Sequence, residues 1–269
     1  MSGAHANENE DSARGRFGWF DLMAPDVEAA KAFYPAVTGW GTQLWEAPGM
    51  SYTMWTAGER PMAGIMVMPA EAAAAGAHPH WLAYVSVPDT DATVARAQEL
   101  GAKVMVPPTD IPTVGRFAVI TDPQGATIAP FTPAPGSMGP PEGPPAVGDF
   151  SWHELATSDH EAAFAFYSEL FGWEKVSEFD MGPELGIYQL YGRGGTPLGG
   201  MMTKSAQMPG PPAWLHYARV ADVNAAAEAV REHGGQILNG PMEVPGGDWI
   251  VMVLDNQGTP FAVHQVKGA

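Results

Sequence analysis

From Phe150 to Ala156 the chain reads FSWHELA, an alternation with the period of two that predicts a half-buried strand. Then the pattern changes. Ser158 offers a helix N-cap, and Glu161 three residues on completes a capping box. EAAFAFYSEL carries the helix until Gly172, a residue type that ends helices. Three short strands follow, WEKVSEF, GIYQLYG and PLGGMMT, and PGPPA marks a turn. WLHYARV predicts a new strand, Asp222 caps the helix VNAAAEAVREH, and Gly234-Gly235 stop it. Strands near QILNGPMEV, DWIVMVL and PFAVHQ close the segment, so the predicted order is βαβββ twice.

The same pattern occurs earlier. A shift of 133 residues aligns residues 17–43 with 150–176, with 12 identities in 27 positions. It also aligns WLAYVSVPD with WLHYARVAD, and DPQG (122–125) with DNQG (255–258). Three blocks at one shift identify a duplication. The Pro/Gly-rich run TPAPGSMGPPEGPPAVGD at 132–149 suits a linker. The expected organisation is a polar, disordered tail at 1–15, domain one at 16–131, the linker at 132–149 and domain two at 150–266.

Composition narrows the function classes. A formal charge of −17 argues against nucleic acid and against anionic membrane surfaces. With no cysteine there is no disulfide, thiolate metal site or cysteine nucleophile. No apolar run approaches the roughly 20 residues of a membrane-spanning helix, and the first residues lack a signal-peptide core. The simplest expectation is a cytoplasmic monomer or homodimer that handles a small molecule.

The helix motif "FY…LFGW", the strand leading to Asp and a helix ended by "GG", and the closing "D-x-x-G-x-x-F/I" strand together resemble the vicinal oxygen chelate superfamily. That group includes glyoxalase I, bleomycin-resistance proteins and extradiol dioxygenases, and the chain is most similar to two-domain glyoxalase-like proteins of actinobacteria. The resemblance implies an α+β fold of two tandem glyoxalase-like domains. Each is a pair of βαβββ units forming a cupped mixed sheet with helices outside. It also implies a divalent metal (Fe, Mn, Zn or Ni) on the concave face, held by His and Glu and chelated by two vicinal substrate oxygens.

Carried over position by position, the resemblance places metal ligands at His153 on the first strand and His216 on the middle strand. The usual glutamate position holds Ala262, and the remaining position falls near Gly200. His264, two residues beyond Ala262, shares its face by alternation and would complete a three-histidine site. Glu154 points to the face opposite His153 and is not counted. Domain one has Phe20, Ala83, Ala129 and Phe131 at the matching positions, so no metal is expected there. His78 and His80 read as a solvated loop pair, and His5, His160 and His233 as exposed. The recurrent tryptophans, Trp19, Trp40, Trp81, Trp152, Trp173 and Trp214, read as core, and the Met runs near 66 and 201 either as gap-fillers of the sheet interior or as a forgiving pocket wall.

Two functions follow. The first is a glyoxalase-like enzyme of lyase, isomerase or oxygenase type acting on an oxygenated metabolite, with His153 and His216 as catalytic or metal-binding residues. The alternative is a non-catalytic protein that sequesters an aromatic natural product or drug.

Overall fold

The computed structural model describes residues 13–47, 50–74, 76–137, 143–208 and 210–268. The first repeat runs β1 (Phe17–Ala24), α1 (Val27–Thr38), β2 (Gly41–Ala47), β3 (Met50–Ala57), β4 (Arg60–Val67), the short α2 (Ala70–Ala74), β5 (His80–Ser86), α3 (Thr90–Glu99), β6 (Lys103–Ile111), β7 (Gly115–Thr121) and β8 (Thr127–Pro133). The second runs β9 (Phe150–Thr157), α4 (His160–Phe171), β10 (Glu174–Asp180), β11 (Ile187–Arg193), β12 (Thr196–Thr203), β13 (Ala213–Arg219), α5 (Val223–Glu232), β14 (Gln236–Glu243), β15 (Trp249–Leu254) and β16 (Pro260–Gln265). Apart from α2 this is βαβββ four times, as the periodicity predicts.

Each repeat forms one eight-stranded mixed sheet, in the orders β2-β3-β4-β1-β5-β8-β7-β6 and β10-β11-β12-β9-β13-β16-β15-β14. The parallel pairs are β1 with β4, β5 with β8, β9 with β12 and β13 with β16. A parallel neighbour needs a crossover, and the helices and hairpins between these strands supply it.

Compactness does not follow the repeats. The chain divides into unit 1, the described residues within 1–19, 83–142 and 153–214, and unit 2, those within 20–82, 143–152 and 215–269. Each unit therefore joins half of one repeat to half of the other. The motifs seen in the sequence explain what holds each together.

In unit 1, Asp122 of the DPQG turn is buried and accepts amide hydrogens from Gln124, Gly125 and Ala126 through Oδ1, at 2.9, 2.7 and 2.9 Å. Its Oδ2 accepts the Tyr167 hydroxyl at 2.8 Å, and the Trp214 indole N–H donates to that same hydroxyl at 3.3 Å. Unit 2 repeats the relay. Tyr34 donates to Asp255 at 3.0 Å, Trp81 donates to Tyr34 at 3.1 Å, and Asp255 Oδ1 holds the Gln257 and Thr259 amides, each at 2.8 Å. Burial, followed by the adjacent carboxylate, pushes both tyrosines well above their ordinary pKa, so they stay neutral donors. A carboxylate buried with this many donors is satisfied. Stripped of them it would be costly.

Around each relay packs an aromatic core. Trp173 lies 5.6 Å from Tyr167 and 4.4 Å from Tyr191 in unit 1, and Trp40 lies 5.7 Å from Tyr34 and 5.9 Å from Trp55 in unit 2. The tryptophans of the repeat belong largely to these cores, as expected.

Local details refine the sequence reading. The cap of α4 is Asp159 rather than Ser158: its side chain accepts the Ala162 amide at 3.0 Å, so the capping-box pairing with Glu161 does not form. Gly172 ends α4 at φ 68°, a conformation that favours glycine. Of the predicted tail, residues 1–12 lie outside the described residues. The rest is tied down, because the Gly15 amide donates to the Ser86 carbonyl at 2.8 Å and the Trp173 indole donates to the Gly15 carbonyl at 2.7 Å. Of the linker, 138–142 lie outside the described residues. Its end is anchored by the Trp40 indole, which donates to the Gly148 carbonyl at 2.7 Å, and by an ion pair between Arg60 and Asp149.

Candidate functional site

Strand alternation and register place the polar side chains. In unit 1, β9 pairs with β12 so that Gly199 faces His153, Gly200 faces Glu154 and Met201 faces Leu155. Next, β11 pairs with β12 at Tyr188↔Met202 and Leu190↔Gly200, and β10 pairs with β11 at Phe179↔Tyr188 and Ser177↔Leu190. Paired residues point to the same side of a sheet. Leu155, Met201 and Tyr191 are fully buried, and Tyr191 packs on Trp173 beside the Tyr167 of α4. That is the helix-covered side. Glu154, Gly200, Leu190, Tyr188, Met202 and Phe179 take the other side.

On that second side, Tyr188 donates its hydroxyl hydrogen to Glu154 Oε2 at 2.9 Å. Glu154 is only 7% exposed, whereas Phe179 is open to solvent at 41%. The surface is therefore an apolar wall of Phe179, Leu190 and Met202 descending to a buried carboxylate. Gly200 makes this arrangement fit, because a Cβ there would overlap the Tyr188 ring. The position that the resemblance reserved for a metal-binding side chain is filled by the phenol of the neighbouring strand.

The three predicted histidines lie elsewhere. His153 is buried, its ring 3.8 Å from that of Phe17, which stacks on Trp173 at 5.5 Å. It belongs to the aromatic core of unit 1. His216 is 1% exposed, with Phe20 at 5.1 Å and Phe150 at 6.1 Å between ring centroids. Burial pushes its pKa down to about 3, so the imidazole is neutral at ordinary pH.

His264 does share a face with Ala262, as alternation predicts, but His216 does not join them. The register is Tyr217↔Ala262 and Arg219↔His264, which turns His216 to the opposite side. A one-residue offset is enough, since it exchanges the two faces of a strand. Both ring nitrogens of His264 are engaged, Nε2 with Asp248 Oδ2 at 3.0 Å and Nδ1 with Ser151 Oγ at 2.8 Å. Burial alone would raise the Asp248 carboxyl. The Lys267 amide, His264 and Arg219 outweigh it and hold Asp248 below its usual value.

Among the described residues no group of three or more His, Asp or Glu side chains is spaced to hold a metal ion. The set His153, His216 and His264 therefore does not fit the divalent metal that the resemblance implies. The remaining histidines act locally: His80 Nδ1 meets the His78 carbonyl at 2.8 Å, His160 Nδ1 meets Thr203 Oγ1 at 2.8 Å, and His233 Nδ1 meets the Ala229 carbonyl at 2.9 Å. His5 lies outside the described residues. The pair that sequence reasoning missed is Glu154–Tyr188. Its signal was a glycine, Gly200, standing beside a strand that carries a tyrosine.

Comparisons with known proteins agree on the fold. A family model described as Glyoxalase/Bleomycin resistance protein/Dioxygenase superfamily matches residues 16–129 and 150–263. A Mycobacterium tuberculosis protein named "Putative glyoxylase CFP32" is 34% identical over 254 residues, covering 93% of this chain and 94% of that protein. "Anthracycline biosynthesis protein DnrV" of Streptomyces peucetius is 29% identical over 266 residues, covering 95% and 94%. Among solved structures, the Mn(II)-bound glyoxalase from Novosphingobium aromaticivorans aligns with a TM-score of 0.60 at 16% identity, covering 94% of this chain and 82% of that one. The 2,3-dioxygenase LapB from Pseudomonas sp. KL28 aligns at 0.62 and 12% identity, covering 94% and 93%. At such identities the structural likeness speaks for the fold alone. No helix of the described residues is long and apolar enough to cross a membrane.

Proposed function

The chain belongs to the glyoxalase/bleomycin resistance protein/dioxygenase superfamily, and on that premise we propose that it is a small-molecule enzyme of the lyase or isomerase type, with Glu154 and Tyr188 as its acid–base pair. The observation that carries this reading is the buried carboxylate held by a phenol at 2.9 Å, at the foot of an apolar wall. An oxygenated, partly aromatic metabolite with a hydroxyl beside its carbonyl suits that surface: its rings lie on Phe179, Leu190 and Met202, and its hydroxyl donates to Glu154 with the carbonyl alongside.

Chemically, Glu154 Oε2 takes the proton from the carbon next to the substrate carbonyl. Once protonated, Glu154 attracts the Tyr188 hydroxyl hydrogen less, and that hydrogen turns to the enolate oxygen. Where the carbon next to the carbonyl bears a hydroxyl, that hydroxyl's proton passes to the enolate oxygen, and return of the carbon-bound proton from Glu154 to the former carbonyl carbon completes an isomerisation. Such proton transfer is worth on the order of 100- to 10,000-fold in rate, and it uses no metal donor from this chain.

The test is exchange of the α-hydrogens of 2-hydroxyacetophenone for deuterium in D₂O, followed by NMR. The native chain accelerates exchange, and Glu154→Gln slows it at least 100-fold while binding survives. Equal exchange by the native chain and Glu154→Gln would overturn the assignment.

A second reading is non-catalytic binding of an aromatic natural product. Two observations favour it: the solvent-open Phe179 wall, and the kinship with a protein named for anthracycline biosynthesis. It predicts quenching of tryptophan fluorescence by aromatic compounds with no exchange.

A further inference from the structure

Unit 2 repeats the polar surface of unit 1 in register. Asp21 of β1 faces Gly64 of β4, Gly64 faces Met54 of β3, and Met54 faces Gln43 of β2. The corresponding row in unit 1 is Glu154, Gly200, Leu190 and Ser177. Beside Met54, Tyr52 faces Trp45 across β2. In unit 1 the matching row runs through Tyr188 to Phe179. Tyr52 donates its hydroxyl to Asp21 Oδ1, and a Cβ on Gly64 would overlap the Tyr52 ring. Asp21 is 4% exposed.

Five features thus recur at matched positions: a buried carboxylate, a phenol that binds it, a glycine beneath the phenol, an aromatic residue on the edge strand and an apolar neighbour. A buried carboxylate costs stability unless donors offset it, and a stretch selected only for packing would replace it with an apolar side chain. Unit 2 retains the costly group although its first-strand sequence reads as apolar.

We propose that unit 2 carries a second small-molecule site, at Asp21, Tyr52, Gly64, Trp45 and Met54, so that one chain takes up two ligand molecules. The ligand class rests on the reading given for Glu154 and Tyr188. It is a flat, apolar molecule carrying an N–H or O–H donor, because a carboxylate only accepts and the phenol spends its hydrogen on that carboxylate. The shorter Asp21 side chain draws the acceptor back toward the sheet by one methylene. Unit 2 should therefore take the same scaffold with a different affinity.

The experiment titrates the full chain with 9-aminoacridine, a flat aromatic amine, and follows methionine methyl resonances by NMR together with the binding stoichiometry. Met54 reports unit 2, and Met202 reports unit 1. Two probe molecules per chain, with both methyl signals shifting, is the expected result. Asp21→Asn then weakens the Met54 response about tenfold and leaves the Met202 response in place. A shift of Met202 alone, with one molecule bound, overturns the second site while leaving the first intact. A shift of Met54 alone supports the second site and removes the premise in unit 1. No shift of either overturns both.

Discussion

The two repeats differ where the sequence draws the eye and agree where it does not. His153 against Phe20, and His216 against Ala83, suggest one polar half and one apolar half. Both histidines prove to be packed among aromatic rings on buried faces. The polar groups that reach the other face, Glu154 with Tyr188 and Asp21 with Tyr52, are present in both. A real asymmetry lies further along the chain. His264 is bonded to Asp248, whereas at the matching positions Phe131 lies against Gly115, whose hydrogen leaves room for the ring. A histidine in one copy of a duplication is therefore a weak pointer to chemistry until its face is known.

The strongest test of the common plan is the relay that closes each unit. Asp122→Ala strips the acceptor from the buried Tyr167 hydroxyl and from three amides, of which that of Ala126 is buried. Asp255→Ala strips it from Tyr34 and two amides. Each substitution should cost about 3–5 kcal/mol in urea denaturation, because unsatisfied buried donors carry their full desolvation penalty. If the units are built alike, the two losses match to within about 1 kcal/mol. A large loss in one and a small one in the other would break the comparison.

The relay also marks what the sequence could and could not tell. Both motifs, "FY" and "DxQG", were legible, as were the duplication and the βαβββ order. That Tyr167 bonds the aspartate of the other repeat was not, because such a pairing depends on which halves pack together and leaves no periodic trace. The site failed for a different reason. The resemblance selects His216 on the middle strand, but β13 ends at Arg219 and an irregular segment precedes the Asp222 cap. The register of β13 against β16 sets which face each strand residue takes, and it puts Tyr217 rather than His216 on the face of Ala262 and His264. On β9 the opposite facing of His153 and Glu154 was read correctly. Which face lay under the helix was not, since alternation separates two faces without labelling them.

His216 offers a sharper contrast of moderate size, through pH. Its folded pKa is about 3 and its ordinary value 6.5. The unfolded chain therefore binds a proton that the folded chain refuses as pH falls below 6.5. Stability is fully present above that value and is lost progressively on acidification toward pH 3. Between pH 8 and pH 5 the loss from this group is about 2 kcal/mol. His216→Leu should flatten the difference between the two pH values by that amount, measured by urea unfolding at each. The first repeat has Ala83 at this place and has no such term. An unchanged acid slope in the variant would show that His216 is not the source.

The smallest effect tests the third histidine. His264→Phe alone places a ring beside an Asp248 that has lost one of its partners, although the Lys267 amide still donates to that carboxylate at 2.8 Å. Asp248→Gly alone removes the acceptor of His264 Nε2 and loosens the backbone before β15. Each single change should cost about 1–2 kcal/mol. Together they recreate the pairing of Phe131 with Gly115, in which the ring occupies the space a side chain would have filled. The double variant should therefore lose less than the sum of the singles, with a coupling of about 1 kcal/mol. Strict additivity would mean that the two halves reach their shared backbone by packing that does not interchange, and that the asymmetry at β8 and β16 was not fixed as a pair.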